Sequence, residues 1–396
     1  MAEFKLVKIS DIAQTNTSSY SSKDNWAFVN YLDTGNITQN VIDSIQHIDL
    51  TEEKLPSRAK RKVKTNSIIY STVRPNQLHY GIVKSQPQNF LVSTGFTVID
   101  VDETKAVAEY VYYFLTQADI VESLQAIGEQ SVSTYPSIKP SDIENIEIPL
   151  PSLEVQKKIV GILKSLDDKI ASNSAINNNL LEQALCLYEL YFSSYPKSGQ
   201  IGDYCCVKSG FAFKSSWWTE EGVKVIKIGS INQDNLNLED CSYVDNDKIP
   251  KAKEFIVREG DIVIAMTGAT IGKFAMIPSV SETILVNQRV GKFFLGDHPI
   301  DRLPFLYCTL KQKDIYSEII NRGQGSAQPN VSGTDIMTIP CVIPNADDIA
   351  TFNKVAQPMF ETILANQTQN TKLMEIRDSL LPRLLAGILD VSAVEI

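Results

Sequence analysis

The stretch 164-KSLDDKIASNSAINNNLLEQ-183 decides the fold. Leu163, Leu166, Ile170, Leu180, Leu181 and Leu185 recur with helical spacing, yet Asn173, Asn177, Asn178 and Asn179 stand at its middle. Asparagine favours caps and turns because its amide competes for backbone hydrogen bonds. Heptads resolve the conflict. One row reads Ile159, Leu166, Asn173, Leu180, Leu187, and the next Leu163, Ile170, Asn177, Ala184, Tyr191. Apolar residues on both rows over several heptads predict a coiled coil.

The partner helix lies in the same chain, which is written twice. At one constant offset 136-PSIKPSDIENI-146 matches 329-PNVSGTDIMTI-339, and Ile170, Asn173, Asn177 and Leu180 fall on Ile363, Asn366, Asn370 and Leu373. Looser matches join 56-PSRAKRKV-63 to 250-PKAKEFIV-257, 67-SIIYSTVR-74 to 261-DIVIAMTG-268, and 10-SDI-12 to 202-GDY-204. Each copy opens with a β-rich part, 1–150 or 200–344, in which runs such as SIIYSTV, DIVIAM, FTVIDV and GKFFL are separated by Gly, Pro, Asn and Asp. One helix-like stretch, 107–126 or 303–320, interrupts it. A long helix follows at 152–193 or 345–387, the first with Ser152 as its cap and Glu154 in its first turn.

The second helix carries seam rows Phe352, Met359, Asn366, Leu373, Leu380 and Ile349, Ala356, Ile363, Asn370, Arg377. In an antiparallel pair midpoints meet, so Asn173 and Asn177 are expected to face Asn366 and Asn370. An amide facing leucine would be left unsatisfied at about 1–3 kcal/mol, so a polar layer fixes register. The other reading is that the asparagines are solvated surface residues repeating by descent; Asn178 and Asn179 fit that description. At about 1.5 Å per residue such a helix spans on the order of 60 Å. Two similar domains related by a pseudo-two-fold suit a duplex whose major groove recurs every roughly 34–36 Å.

Composition sets the bounds. A chain of 396 residues suggests two or three domains. The opening MAEFKLVKISDI places charges where a secretion signal needs an apolar core, and no apolar run approaches roughly 18 residues, so a cytoplasmic location is expected. Six cysteines form no C-x-x-C pair and none stands at ligand spacing from the three histidines; buried free thiols are expected rather than zinc or disulfides. The net charge of −10 argues against indiscriminate coating of nucleic acid, but not against basic residues gathered on one face.

The chain resembles the specificity (S) subunit of type I restriction–modification systems. The resemblance is carried by 146-IEIPLPSLEVQKKIVGILKSLDDKI-170, of the form I-x-x-P-x-L-x-x-Q-x-x-I before a long helix, and by 376-IRDSLLPRLLAGIL-389. Further marks are 209-SGFAFKSSWW-218, 260-GDIVIAMTGATIGK-273 and 71-STVRP-75. The second copy, 339-IPCVIPNADDIATFNKV-355, keeps the layout but lacks the usual Leu and Gln. The resemblance implies an α+β chain of four parts: a target-recognition domain over 1–150, a spacer helix over 151–199, a second recognition domain over 200–344, and a second spacer helix with a C-terminal segment over 345–396. It implies double-stranded DNA, two methyltransferase subunits and restriction subunits as partners. S-adenosylmethionine and ATP are then expected on those partners, with no cofactor, metal or catalytic residue on this chain.

Phosphate contacts call for Lys and Arg, and base edges for Arg, Lys, Asn and Gln. In the first domain the candidates are Arg58, Lys60, Arg61, Lys62 and Lys64 before a strand, with Arg74, Asn76, Gln77, His79 and Tyr80 after it. In the second they are Lys214, Lys251, Lys253, Lys273, Asn287, Gln288 and Arg289, with Arg322 and Gln324 from 322-RGQGSAQPN-330, whose counterpart is 128-GEQSVSTYP-136. A basic run is also an ordinary solvated face, and the loop holding Phe211, Phe213, Trp217 and Trp218 also reads as core packing. Enzyme readings fail on motifs. The chain has no (Asn/Asp/Ser)-Pro-Pro-aromatic loop, no G-x-x-x-x-G-K-[ST] loop, and only a turn-like Asp100…Glu103-Thr104-Lys105 as a nuclease lookalike. The remaining alternative is a coiled-coil scaffold that does not bind DNA.

Overall fold

Hydrophobic periodicity becomes six α-helices of eight residues or more among the described residues: α1 (Ala108–Leu115), α2 (Ala118–Glu129), α3 (Leu153–Phe192), α4 (Leu303–Leu310), α5 (Lys313–Gly323) and α6 (Ala346–Leu385). The structure is a computed structural model that describes residues 4–131, 135–232, 234–323 and 329–394. The chain forms two units, Met1–Asp167 with Met374–Ile396, and Asp168–Leu373, so α3 and α6 each contribute to both.

The duplication is visible strand by strand. In the first copy one sheet has the order Gln46–Asp49, Phe28–Leu32, Phe90–Ser93, Ala59–Lys62, with its central pair parallel. The other, all antiparallel, runs Ala13–Thr15, Phe96–Val101, Ile68–Ser71, Tyr80–Ile82. The second copy repeats both: Trp218–Thr219, Ser242–Val244, Val223–Ile226, Ile284–Val286, again with one parallel pair, and Cys206–Ser209, Val290–Phe294, Ile262–Ala265, Phe274–Met276. The continuous apolar runs are strands buried on both faces, as the core residues Ile68, Ile69, Ile262, Val263 and Ile264 show.

The repeated aspartates are caps. Asp11 and Asp203 accept the N–H of Lys8 and Gln200 at 3.0 and 2.8 Å, each closing a single helical turn. Asp142 and Asp335 do the same for Lys139 and Ser332 at 2.6 and 2.8 Å. The helix-like stretch expected as one piece is two helices in each copy. Thr116 leaves the helical region and Gln117 turns the corner, its buried amide donating to the Phe114 carbonyl at 3.2 Å.

The interiors have diverged. In the second copy Asp261 and Lys292 form a buried ion pair at 2.8 Å. Burial raises the Asp261 carboxyl above its ordinary value, opposed by the Lys292 ammonium and the Arg258 N–H. In the first copy the strand register places Ser67 and Val98 there, and the Ser67 hydroxyl donates to Asp100 at 2.6 Å. Asp100 also accepts from Thr17 at 2.5 Å, and Glu103 accepts from Asn66 at 2.8 Å.

Each unit holds its own length of antiparallel helix pair. In the first, Ile159, Val160 and Leu163 share a core with Leu381, Leu384 and Leu385, and Asp167 accepts from Arg377 at 2.9 Å and from the Tyr113 hydroxyl at 2.6 Å. In the second, Tyr188 and Phe192 meet Phe352 edge-on at 5.8 and 5.3 Å. Gln156 is fully buried and joins α3 to its domain, accepting the Val107 N–H at 2.8 Å and donating to the Pro151 carbonyl at 2.8 Å. The second copy lacks that glutamine, and Asn353 of α6 takes its place by accepting the Phe305 N–H at 2.9 Å.

Asn173 is fully buried, although its neighbours from 164 to 183 are exposed or half-exposed. Its Nδ2 donates to Asn370 Oδ1 and Gln369 Oε1, both at 2.8 Å, while its own Oδ1 is buried without a partner among the described residues. Asn366 donates to Asn177 Oδ1 at 2.8 Å. Asn177 and Asn370 complete the symmetry by donating to the Ile363 and Ile170 carbonyls, both at 3.5 Å. The four seam asparagines thus pair amide to amide.

Four of the six free cysteines are buried, and burial pushes the Cys205 thiol up to about 12. Cys186 and Cys206 depart from the expectation and lie exposed, on the outward faces of α3 and of the strand Cys206–Ser209. No helix among the described residues is long and apolar enough to cross a membrane.

Candidate nucleic-acid interface

In the second copy the interface begins at Gly210. A Cβ there would lie 2.3 Å from the Val286 carbonyl oxygen, so only glycine lets the chain run this close. The Gly210 N–H donates to Val290 at 2.8 Å, that of Phe211 to Val286 at 2.8 Å, and that of Gln288 to Phe211 at 2.9 Å. The loop after Gly210 is thereby sewn to the turn 287–289. The core-packing reading of its aromatics holds in part. Phe213 is buried with Val225, Val244 and Leu285, whereas Phe211, Trp217 and Trp218 are half-buried against that cluster.

Lysines gather on the tryptophans. The ammonium groups of Lys251, Lys248 and Lys214 lie 4.8, 5.3 and 5.6 Å from the Trp217 ring, and that of Lys227 lies 3.9 Å from Trp218. Such contacts hold a cation over an aromatic face without neutralising it. Lys248 pairs with Asp247 at 2.5 Å; Lys214, Lys227, Lys251, Lys253, Lys273 and Arg289 make no salt bridge among the described residues. Beside the platform lies a cavity of about 250 Å³ lined by Phe213, Ser215, Trp218, Lys227, Ile228 and the turn 287–289. Asn287 is buried and caps the turn, its Oδ1 accepting the Arg289 N–H at 3.1 Å, while Gln288 and Arg289 are exposed.

The remaining candidates of this copy scatter. Lys253 is exposed on the 3₁₀ segment Asn246–Phe255, and Lys273 is half-buried after the turn Gly268–Thr270. Arg322 is engaged internally: it pairs with Glu318 at 3.0 Å and donates to the Thr338 hydroxyl at 2.5 Å, clamping α5 to the turn Gly333–Met337. Gln324 lies outside the described residues, as does most of 322–330 and the centre of 128–136.

In the first copy the basic run becomes the edge strand Ala59–Lys62. Arg58 and Lys60 are exposed, and neither they nor Arg61 make a salt bridge among the described residues. The Arg61 Nε is buried without a partner among the described residues. Lys62 is bound to Asp24 beside Trp26, and Lys64 lies 3.9 Å from Asp100. Arg74 has a left-handed backbone (φ 48°) and stacks on Tyr135 at 4.7 Å. The 3₁₀ turn Pro75–Gln77 after it presents Asn76 and Gln77 to solvent. Half-burial lowers the His79 imidazole below its ordinary value. Tyr80 departs from the expected surface position: it is core, stacked on Tyr70 at 5.5 Å and edge-on to Tyr112 at 6.2 Å. Its place in the strand Tyr80–Ile82 turns the ring inward.

Lys227, Lys248 and Trp218 were not legible as one group. Lys227 follows the apolar run VKVI and reads as a solvent-facing residue at a strand end; only the tertiary fold brings it over Trp218. Among the described residues no His/Cys/Asp/Glu group could hold a metal ion.

A family model, the type I restriction modification DNA specificity domain, matches the chain twice, at residues 1–182 and 197–376. The HindI specificity subunit of Haemophilus influenzae is 24% identical over 98% of this chain and 100% of its own length. The MjaIX specificity subunit of Methanocaldococcus jannaschii is also 24% identical, over 98% of this chain and 93% of its own. The crystal structure of a type I restriction–modification S subunit from M. genitalium has the same fold, with a TM-score of 0.55 at 16% identity over 97% of this chain and 96% of that one. Each of the two family-model matches spans one β-rich copy and most of the long helix that follows it, and the chain belongs to the type I restriction–modification DNA specificity family.

Proposed function

We propose that this chain is the non-catalytic, sequence-specific DNA-binding subunit of a type I restriction–modification complex, each β-rich domain reading one half of a bipartite duplex site. The α3–α6 pair sets the gap between half-sites, its asparagine layer fixing the register, and docks two methyltransferase subunits. S-adenosylmethionine and ATP reside on the methyltransferase and restriction partners. The observation that carries this reading is electrostatic. In a chain of net charge −10, both copies of one fold hold cations that make no salt bridge among the described residues: Arg58, Lys60 and Arg61 in the first, Lys214, Lys227, Lys251 and Arg289 in the second. Phosphate neutralisation by such cations supplies a large share of the affinity of a DNA reader, which favours this reading over a scaffold.

The test is selection from a random duplex library by this chain together with its methyltransferase subunit. Two short fixed blocks separated by an invariant gap are expected. One block would mean that a single domain reads, and no enrichment by a well-folded complex would return the chain to the scaffold class.

A further inference from the structure

We propose that Gln288 and Arg289 are the base-reading residues of the second domain, with Lys227 beside Trp218 anchoring the adjoining phosphate; this rests on the DNA-binding function proposed above. The turn that carries them is fixed, while the Gln288 and Arg289 side chains are exposed and make no side-chain hydrogen bond or salt bridge among the described residues. Asn287 donates its N–H to Ile226 at 3.0 Å and accepts from Val290 at 2.9 Å, and the Arg289 carbonyl accepts from Met266 at 3.0 Å. A planar amide and a planar guanidinium therefore project from a rigid backbone, the two side-chain types that pair bidentately with adenine and guanine edges. No carboxylate lines the cavity beside them, and Lys227 stands on its wall.

The first copy supplies an internal control. The strand pairing sets Ser93-Thr94-Gly95 where Asn287-Gln288-Arg289 stands. The same cap recurs there, the Gly95 N–H donating to Ser93 Oγ at 3.3 Å as that of Arg289 does to Asn287 Oδ1 at 3.1 Å. One scaffold thus bears a methyl-bearing hydroxyl and a hydrogen in one copy, and two long polar side chains in the other. The turn needs neither Gln nor Arg to form, so those side chains serve something outside it. The first domain then reads from a different element.

The test repeats the selection with the full complex carrying Gln288→Ala and Arg289→Ala, singly and together, and with Lys227→Ala. Wild type should return two blocks. Each turn variant should relax one or two positions of a single block, by about tenfold to a hundredfold in preference, leaving the other block and the gap unchanged. Lys227→Ala should keep both blocks but bind more weakly, with the salt slope shallower by about one. Arg289→Lys should restore affinity more than base preference, since lysine keeps the charge and loses the fork. Two unaltered blocks from the double variant would overturn the proposal while leaving the DNA-binding function standing. Loss of both blocks would overturn it too, because a reader confined to one domain leaves the other intact. Failure of wild type to enrich any sequence would remove the function and the proposal together.

Discussion

The asparagine layer makes a quantitative prediction. Replacing Asn173 by leucine removes two donated hydrogen bonds, each contributing about 0.5–1.5 kcal/mol net, so about 1–3 kcal/mol is forfeited. The same substitution removes the partnerless buried Oδ1, whose desolvation costs about 1–3 kcal/mol. The two effects oppose one another, and Asn173→Leu alone should change stability by no more than about 2 kcal/mol in either direction. The acceptors left behind, Asn370 and Gln369, are half-exposed and exposed, and water can serve them. The informative quantity is the coupling in a double-mutant cycle of Asn173→Leu and Asn370→Leu, expected at about 0.5–1.5 kcal/mol. Hydrogen exchange of the 165–183 amides, followed by mass spectrometry in the full chain, reads local opening without assuming two-state unfolding. The doubly apolar variant should also show additional species by light scattering, since a leucine seam tolerates a one-heptad slip. Zero coupling together with an unchanged single species would refute the register argument.

Four other outcomes follow from the structure. Asp167→Ala strands the Tyr113 hydroxyl and leaves Arg377 with Asp378 alone, and should cost about 1.5–3 kcal/mol in denaturant unfolding, with Tyr113→Phe costing less. Gly210→Ala forces its methyl into the Val286 carbonyl, so the loop 211–218 should shift, with tryptophan fluorescence changing and DNA affinity falling; an unchanged spectrum would contradict the close approach. Seven residues inserted at matching depth in α3 and α6 add about 10 Å to each helix and should lengthen the unread gap by about three base pairs, with both half-sites unchanged. The Asp335 carboxyl is held below its ordinary value by the Ser332 hydroxyl and N–H. A depressed carboxylate contributes stability fully above the unfolded value of about 3.9 and loses it as pH falls through the folded one; Asp335→Asn should flatten that part of the acid denaturation curve.

Duplication and heptad spacing made the helix pair legible, down to which asparagines meet, because both are periodic properties that one sequence displays. Gln369 was not legible as a partner of Asn173, since its counterpart in the first copy is Ile176 and repetition gave no signal. The break between α1 and α2 escaped for a related reason: the apolar beat continues through Thr116 and Gln117 although the backbone does not. Asn353 escaped because it performs the task of Gln156 from a different helical position. The cluster Arg58–Lys64 stood out by density, and Arg322 by the Gly-rich stretch that holds it. Neither signal distinguishes Arg58, which makes no salt bridge among the described residues, from Lys62, which is bound to Asp24, or from Arg322, which holds α5. Whether a cation is neutralised depends on acids far away in sequence.

The buried Asp261–Lys292 pair bears on how such a chain can be rebuilt by recombination. A crossover that brought the first copy's strand Phe96–Val101 into the second would set Val98 against Asp261. An acid with its buried partner removed destabilises by about 3–5 kcal/mol, a large part of the stability of an ordinary domain. The reciprocal crossover would bury a lysine against Ser67. Genetic exchange between the halves is therefore viable when a β-rich domain moves whole and selected against when it moves in pieces, so hybrid offspring of this gene should inherit recognition in complete blocks.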